Sequence, residues 1–264
     1  MVVSRHRGRL CRNSPPIHCA VRSGACMGGQ PRPPLDRGSA IADLGSAMAD
    51  TTRPRRARGD IEKAQRRQTI LTAARDLFVE TDGELPSVDQ VARRAGLAKG
   101  TVYLYFGAKE EIFLALFTDE LEAWVDAIAA SLEGATPSPE GIAEWMTADL
   151  RSRTVMLRLA AQCHGTLERQ VAEDAVLAFK QATSGALAEL GALAEGRIPK
   201  LGPGDGPALL LQVYALVIGL WQVSDPPKSA RNVMKRAEFQ NLRPDFETVV
   251  RPGLAALLAA VLDN

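Results

Sequence analysis

The sequence predicts an all-α protein. From residue 67 onward, apolar residues recur every three or four positions in one segment after another. Nowhere does the chain alternate apolar and polar residues with the period of two that a half-buried strand needs. Clusters of glycine and proline at 134–139, 196–207 and 225–227 separate the periodic stretches as loops do. At 264 residues and 46% hydrophobic content the chain suits one or two domains with an ample core. The net charge of +1 gives no global sign of a nucleic-acid partner, so any basic footprint must be local. No apolar run approaches the length of a membrane span. The greasiest stretch, 209–220, is short and holds Gln212, which predicts a buried helix.

Residues 1–47 differ in character. They mix arginine, proline and glycine with Cys11, Cys19 and Cys26 and carry no sustained period. No continuous apolar core follows the basic start, so they do not read as a secretory signal. The cysteine spacings are not those of metal-ligand pairs, and His18 beside Cys19 does not change this. The expectation is a disordered upstream extension, with Met48 as the start of the native protein. Residues 48–66 predict a flexible basic arm. Arg53, Arg55, Arg56, Arg58, Lys63 and Arg66, with Arg67 just beyond, outnumber Asp60 and Glu62, and such an arm gains DNA affinity by releasing counterions from phosphate.

A DNA-binding domain is predicted over 67–113. In its opening helix Ile70, Ala73, Ala74, Leu77 and Phe78 form one apolar stripe, and Gly83 stops the helix. Ser87 is a good N-cap for the next, whose apolar face is Val88, Val91, Ala92 and Ala95. Gly96 makes the turn, Leu97 plugs the corner, and 99–106 forms a second short helix. The pattern is a helix-turn-helix, whose second helix enters the major groove. The stretch AKGTVYLYFGAKEEIF, together with the Ala73-Ala74 and Leu77-Phe78 pairs, resembles the TetR family of transcriptional regulators.

Chemistry and resemblance together assign the DNA contacts. Lys99 can donate to guanine or phosphate, and Gly100 lets the backbone approach the groove. Thr101 offers a hydroxyl and a methyl, while Tyr103 and Tyr105 offer hydroxyls on apolar rings. Lys109, at the next helix start, can grip phosphate with the free amides there. The resemblance implies phosphate contacts at Ser87, Thr101, Tyr103 and Lys109 and base contacts at Lys99, Gly100 and Leu104. Val102 and Phe106 face inward as core, Tyr105 is either a contact or packing, and Arg93 and Arg94 either touch the backbone or are solvated.

Residues 114–264 predict a helical body. A long helix over 109–132 links it to the DNA head, and Pro137-Ser138-Pro139-Glu140 opens the next. Further helices are predicted at 142–153, 155–167, 170–191, 208–223 and 246–261. The last two are the most apolar, and the resemblance implies that they pair with their mates in a homodimer. The expected interface is Leu209, Val213, Leu216, Val217, Leu220, Val250, Leu254, Leu257, Leu258 and Val261. Two recognition helices are needed to read a near-palindromic double-stranded DNA operator.

The resemblance also implies a cavity for a small, apolar effector. Its candidate lining is Trp124, Trp145, Met146, Leu150, Met156, Leu159, Cys163, His164, Phe179, Tyr214 and Trp221. Cys163-His164 invites a redox- or metal-sensor reading, but adjacent helical residues point about 100° apart and face each other poorly. No orienting third group is evident. The expectation is therefore no enzyme, no cofactor, no metal and no membrane partner. The resemblance implies a cytoplasmic repressor that an effector releases from DNA; the alternatives are an activator or global regulator without an effector, or a redox or metal sensor built on Cys163 and His164.

Overall fold

The computed structural model describes residues 52–131 and 138–262, with side chains described over 59–131 and 138–261. The expectations for 1–47, with Cys11, Cys19, Cys26, His18 and the Met48 start, lie outside these residues. So do the side chains of Arg53, Arg55, Arg56 and Arg58.

The described residues form ten α-helices and no strand: α1 (Thr52–Glu80), α2 (Val88–Arg94), α3 (Lys99–Tyr103), α4 (Lys109–Ser131), α5 (Pro139–Ser152), α6 (Thr154–Gln162), α7 (Glu173–Arg197), α8 (Asp205–Ser224), α9 (Lys228–Val233) and α10 (Phe246–Leu262). From Thr52 on, the segment expected as a basic arm is helical. It is the first half of α1, because alanine, glutamate, glutamine, lysine and arginine are all good helix formers. The apolar stripe of α1 is buried as predicted: Ile70, Ala74 and Phe78 have no exposed surface, and the Phe78 ring lies 5.6 Å from Phe113 of α4.

Helix α4 is the spine, packing against α1, α6 and α7, while α10 packs on α5 and α8. Phe117 of α4 stacks at 5.5 Å on Phe179 of α7, and Trp221 of α8 meets Phe246 of α10 edge-on at 5.1 Å. Local chemistry sets the ends. Ser138 accepts the Gly141 amide at 3.1 Å with Pro139 in the first turn of α5, as the sequence predicts. Asp245 accepts the Thr248 amide at 3.0 Å at the start of α10.

Helix α7 runs six residues past its predicted end at Gly191. That glycine is a contact point instead of a stop: a Cβ there would lie 2.5 Å from Pro207 Cδ, and a Cβ on Gly206 would overlap the Gly191 carbonyl. The two glycines let α7 and α8 touch backbone to backbone. Glu195, in the extra turn of α7, then accepts the amides of Gly204 (2.8 Å) and Gly206 (3.0 Å) and so caps α8.

Helix α8 is longer than the sequence reading allowed. It spans 20 residues with a mean hydropathy of 1.6 over its most apolar window, enough by length and composition to cross a membrane, and only 22% of that window is buried. One face packs inside the chain and the other is open. The face inside corrects the interface expectation: Leu209, Val213, Val217, Val250, Leu254 and Leu258 are buried in the chain's own core and unavailable to a partner. The most apolar stripe of each helix turned inward, because a monomer core claims it first. Leu216, Leu220, Leu257 and Val261 are half-buried at its margin.

Candidate nucleic-acid interface

The helix-turn-helix is built from α2, the turn at Gly96 and α3. Ser87 caps α2 in a reciprocal box: its hydroxyl accepts the Gln90 amide at 3.3 Å, and the Gln90 side-chain oxygen accepts the Ser87 amide and hydroxyl, both at 2.9 Å. The hydroxyl expected to meet phosphate is thus already engaged in holding α2. Replacing Ser87 with alanine is expected to cost about 1 kcal/mol of stability in a denaturant titration, the usual worth of such a cap. Gly96 turns with φ +68°, the left-handed conformation that a glycine allows.

Helix α3 is one turn and a half; residues 104–106, predicted helical, form a turn before α4. Val102 and Phe106 are buried and anchor it as predicted. Outward, Lys99 and Gly100 are exposed, Thr101 is half-buried, Tyr103 is 47% exposed and Leu104 79% exposed. An apolar side chain as open as Leu104, beside a tyrosine, has a reason to exist if it meets thymine methyls and sugar. Tyr105 turns the other way. It is half-buried and lines a groove with Arg67, Phe106 and Leu114 on one side and Ala175, Ala178 and Phe179 of α7 on the other. Packing is therefore the role its surroundings support.

The charges nearby are sorted by pairing. Arg94 forms a two-pronged pair with Glu80 (2.9 and 2.7 Å), which holds the Glu80 carboxyl below its usual range, and Arg93 pairs with Asp89 at 2.9 Å. Arg67 sits 5.7 Å over the Phe106 ring. Lys109 is half-exposed and 3.6 Å from the buried Glu110 carboxylate. The Gly107 amide at this helix start is not free, since Glu111 accepts it at 2.7 Å. The Lys109 ammonium stands half-exposed at this helix start.

The expected effector residues do not converge. Only Trp145 and Met146 line the apolar cavity in the body, of about 190 Å³, with Ile128, Ile142, Ile198, Leu209 and Leu258. Leu150, Met156, Leu159, Cys163 and Phe179 are core, Trp124 and Trp221 are nearly so, Tyr214 is half-buried, and His164 is exposed. The Trp124 indole N–H is buried without an acceptor.

Two constellations escaped the sequence reading. The first ties the head to the body. Arg158 of α6 meets Asp82 at 2.6 Å and Asp225 at 2.8 Å, and Arg231 of α9 meets the same two carboxylates, both at 2.8 Å. Asp82 is held at φ +57° just after α1, and Gln162 donates to the next carbonyl, Gly83, at 3.0 Å. Read singly, these four charges look like solvated surface, and no spacing links residues 82, 158, 225 and 231. The second joins Cys163 and His164 through Glu168. Cys163–Leu167 forms a π turn, closed by a bond from the Glu168 amide to the Cys163 carbonyl at 3.0 Å. The wider turn carries Glu168 back beside Cys163, five residues earlier, which the 100° step of an α-helix does not allow, while His164 is its ordinary i,i+4 neighbour.

Comparison with known proteins follows this geometry. The family model described as Tetracyclin repressor-like, C-terminal domain matches residues 118–262, and that of bacterial regulatory proteins, tetR family, matches 70–116. The Fatty acid metabolism regulator protein of Bacillus subtilis (strain 168) is 28% identical over 82 residues, 31% of this chain and 42% of that protein. The HTH-type transcriptional regulator HbdR of Aromatoleum sp. (strain CIB) is 33% identical over 72 residues, 27% of this chain and 31% of that protein. The chain thus spans less than half the length of these curated relatives. Among solved structures, the fatty acid degradation regulator FadR from Bacillus halodurans aligns with a TM-score of 0.48 at 22% identity, over 72% of this chain and 97% of that one.

Proposed function

The chain belongs to the TetR family of bacterial transcriptional regulators, and from that premise we propose that it is a cytoplasmic, dimeric repressor of a near-palindromic operator, released by a small apolar effector. The observation that carries DNA contact is the outward face of α3, where Lys99, Gly100, Tyr103 and Leu104 stand open on a turn anchored by buried Val102 and Phe106. Tyr103 and Lys109 hold phosphate and Lys99 and Leu104 read bases. Thr101 takes part at the edge, Ser87 positions α2, and Tyr105 packs.

The dimer forms through the open face of α8 and α10, not the stripe that the monomer core consumes. Leu211, Ala215, Gly219 and Val223 share that face of α8, and Ala256 and Ala260 stand exposed on α10. Leu211 and Val223 are more than half exposed, and the small residues between them admit a close helix approach. A second copy would bury the apolar surface that makes α8 resemble a membrane span.

The cavity beside Trp145 and Met146 is apolar but below the 300–1,000 Å³ usual for ligand sites, so the effector must spread α5 from α8 to enter. Arg158, in the middle of α6 and paired with Asp225 just past α8, holds Asp82, and displacing either helix moves the turn that ends α1. The Cys163 thiol, pushed up to about 12 by burial first and then by Glu168, is a poor nucleophile, which supports a non-enzymatic reading. The test is a salt-titrated gel shift of the full chain against DNA flanking its own gene. A palindrome-dependent shift supports the reading; a folded dimer that shifts no DNA from a genome-wide pool refutes it.

The Arg158–Asp82–Arg231–Asp225 ring makes its own prediction. Burial alone would raise the Asp82 pKa, but hydrogen bonds from Arg231 and Arg158 outweigh it and hold the carboxyl below its ordinary 3.8. A depressed carboxylate contributes stability above its unfolded pKa, and that contribution is lost as pH falls through the folded value. Asp82→Asn, which tolerates the left-handed backbone, is expected to cost about 1 kcal/mol at neutral pH after allowing for solvent screening. The deficit should begin to shrink as pH falls below about 4 and vanish only below the lowered folded value of Asp82, as read by urea unfolding at several pH values.

A further inference from the structure

We propose that Cys163, His164 and Glu168 form a binding site for a zinc-class divalent ion in the body of the protein, one residue from the contact that α6 makes with the DNA head. Zinc takes thiolate, imidazole and carboxylate ligands in proteins, so the Cys163 thiol gives up its proton to solvent as the ion binds. Here the three donor atoms all lie within 4.8 Å of one another. Cys163 Sγ is 3.1 Å from one Glu168 oxygen, and His164 Nδ1 is 3.4 Å from the other. Zinc bonds of about 2.0–2.3 Å in a tetrahedron put neighbouring donors about 3.3–3.7 Å apart, so each donor stands near that distance from one of the two Glu168 oxygens. To bring all three donors onto one ion the carboxylate has to turn and the imidazole has to swing, and the His164 side chain is 66% exposed. Its open side leaves room for water as the fourth ligand.

The present arrangement also contains a cation in the ion's place. Lys180 donates to Glu168 at 2.7 Å from a half-exposed position on α7, and it can withdraw to solvent when a metal takes the carboxylate. The π turn supplies the geometry, since it is what brings residues 163 and 168 onto one face, and π turns recur at functional sites. Gln162, immediately before Cys163, holds the Gly83 carbonyl beside Asp82. An ion drawing the turn together therefore acts on the link between body and head; this second half rests on the DNA-binding reading, and the first does not.

The test is titration of the full chain with Co²⁺, which reports thiolate ligation by a charge-transfer band in the near ultraviolet. One equivalent should raise the band and Zn²⁺ should abolish it. Cys163→Ser should remove it, Glu168→Gln should weaken binding at least tenfold, and Lys180→Gln, which takes away the competing cation, should strengthen it severalfold. No band, or a band undiminished in Cys163→Ser and so owed to Cys11, Cys19 or Cys26, would overturn the site. If Cys163→Ser proves unfolded by circular dichroism, exposed His164→Ala takes its place, and unchanged Co²⁺ affinity there overturns the site equally. Gel shifts with and without Zn²⁺ read the link: a change in wild type that His164→Ala lacks supports it. A band with unaltered DNA binding leaves the ion in place and refutes the coupling.

Discussion

Tyr103→Ala and Lys109→Ala are each expected to weaken operator binding by about a hundredfold or more while leaving the protein folded. Tyr103 is exposed and supports no core contact, so its loss should leave the melting temperature nearly unchanged. A hydrogen bond to a charged group is worth about 1.5–3 kcal/mol, and a two-fold dimer loses it twice, which sets the size of the effect. Salt dependence separates the two residues. Lysine on phosphate displaces a counterion, so Lys109→Ala should reduce the slope of log K against log salt by about two for the dimer. The neutral Tyr103 hydroxyl displaces none, and its variant should keep the wild-type slope. Equal slopes for wild type and Lys109→Ala would remove Lys109 from the phosphate contacts.

Gly206→Ala is the substitution expected to damage stability most. Its Cβ would overlap the Gly191 carbonyl, and backbone of a helix cannot move aside as a flexible side chain does. Relief requires α7 and α8 to separate, which also pulls the Glu195 carboxylate from the amides it caps. A cost of about 3 kcal/mol or more follows, or a fall of about 10 °C in Tm for a domain of this size. Two glycines on α7 provide the contrast. Gly185 and Gly196 have open space where a Cβ would go, so Gly185→Ala and Gly196→Ala should each stabilise by about 0.5–1 kcal/mol. Calorimetry on the four variants, with Gly191→Ala as the fourth and destabilised, decides between contact and chain entropy as the role of these glycines.

These contrasts mark what could be read without coordinates. The opening helix, the cap at Ser87, the turn at Gly96 and the buried Val102 and Phe106 are local matters. Each follows from periodicity of 3.6 or from the backbone demand of a single residue, and the structure has them as read. The outward Tyr103 and the inward Tyr105 were half legible, since α3 is too short for periodicity to separate its faces. Gly191 misled because a glycine near a turn-rich stretch looks like a helix stop, while its reason for being there lies fifteen residues away in Gly206. Six of the ten expected interface residues lie inside the chain's own core for a related cause. Apolarity marks a residue for burial, but it does not say whether the chain itself or a second copy will do the burying.

Sequence alone determined that this is an all-α TetR-family regulator with its helix-turn-helix at 87–113, because those features rest on contacts within a few residues. Tertiary structure alone decided which face of α8 stays open, that Arg158 and Arg231 clasp Asp82 and Asp225, and that Glu168 stands between Cys163 and His164. The ring is a meeting of residues up to 149 positions apart, and the thiol cluster needs a π turn that no propensity announces. Long-range pairing and departures from regular helix depend on how whole elements pack, and packing is a property of the assembled chain.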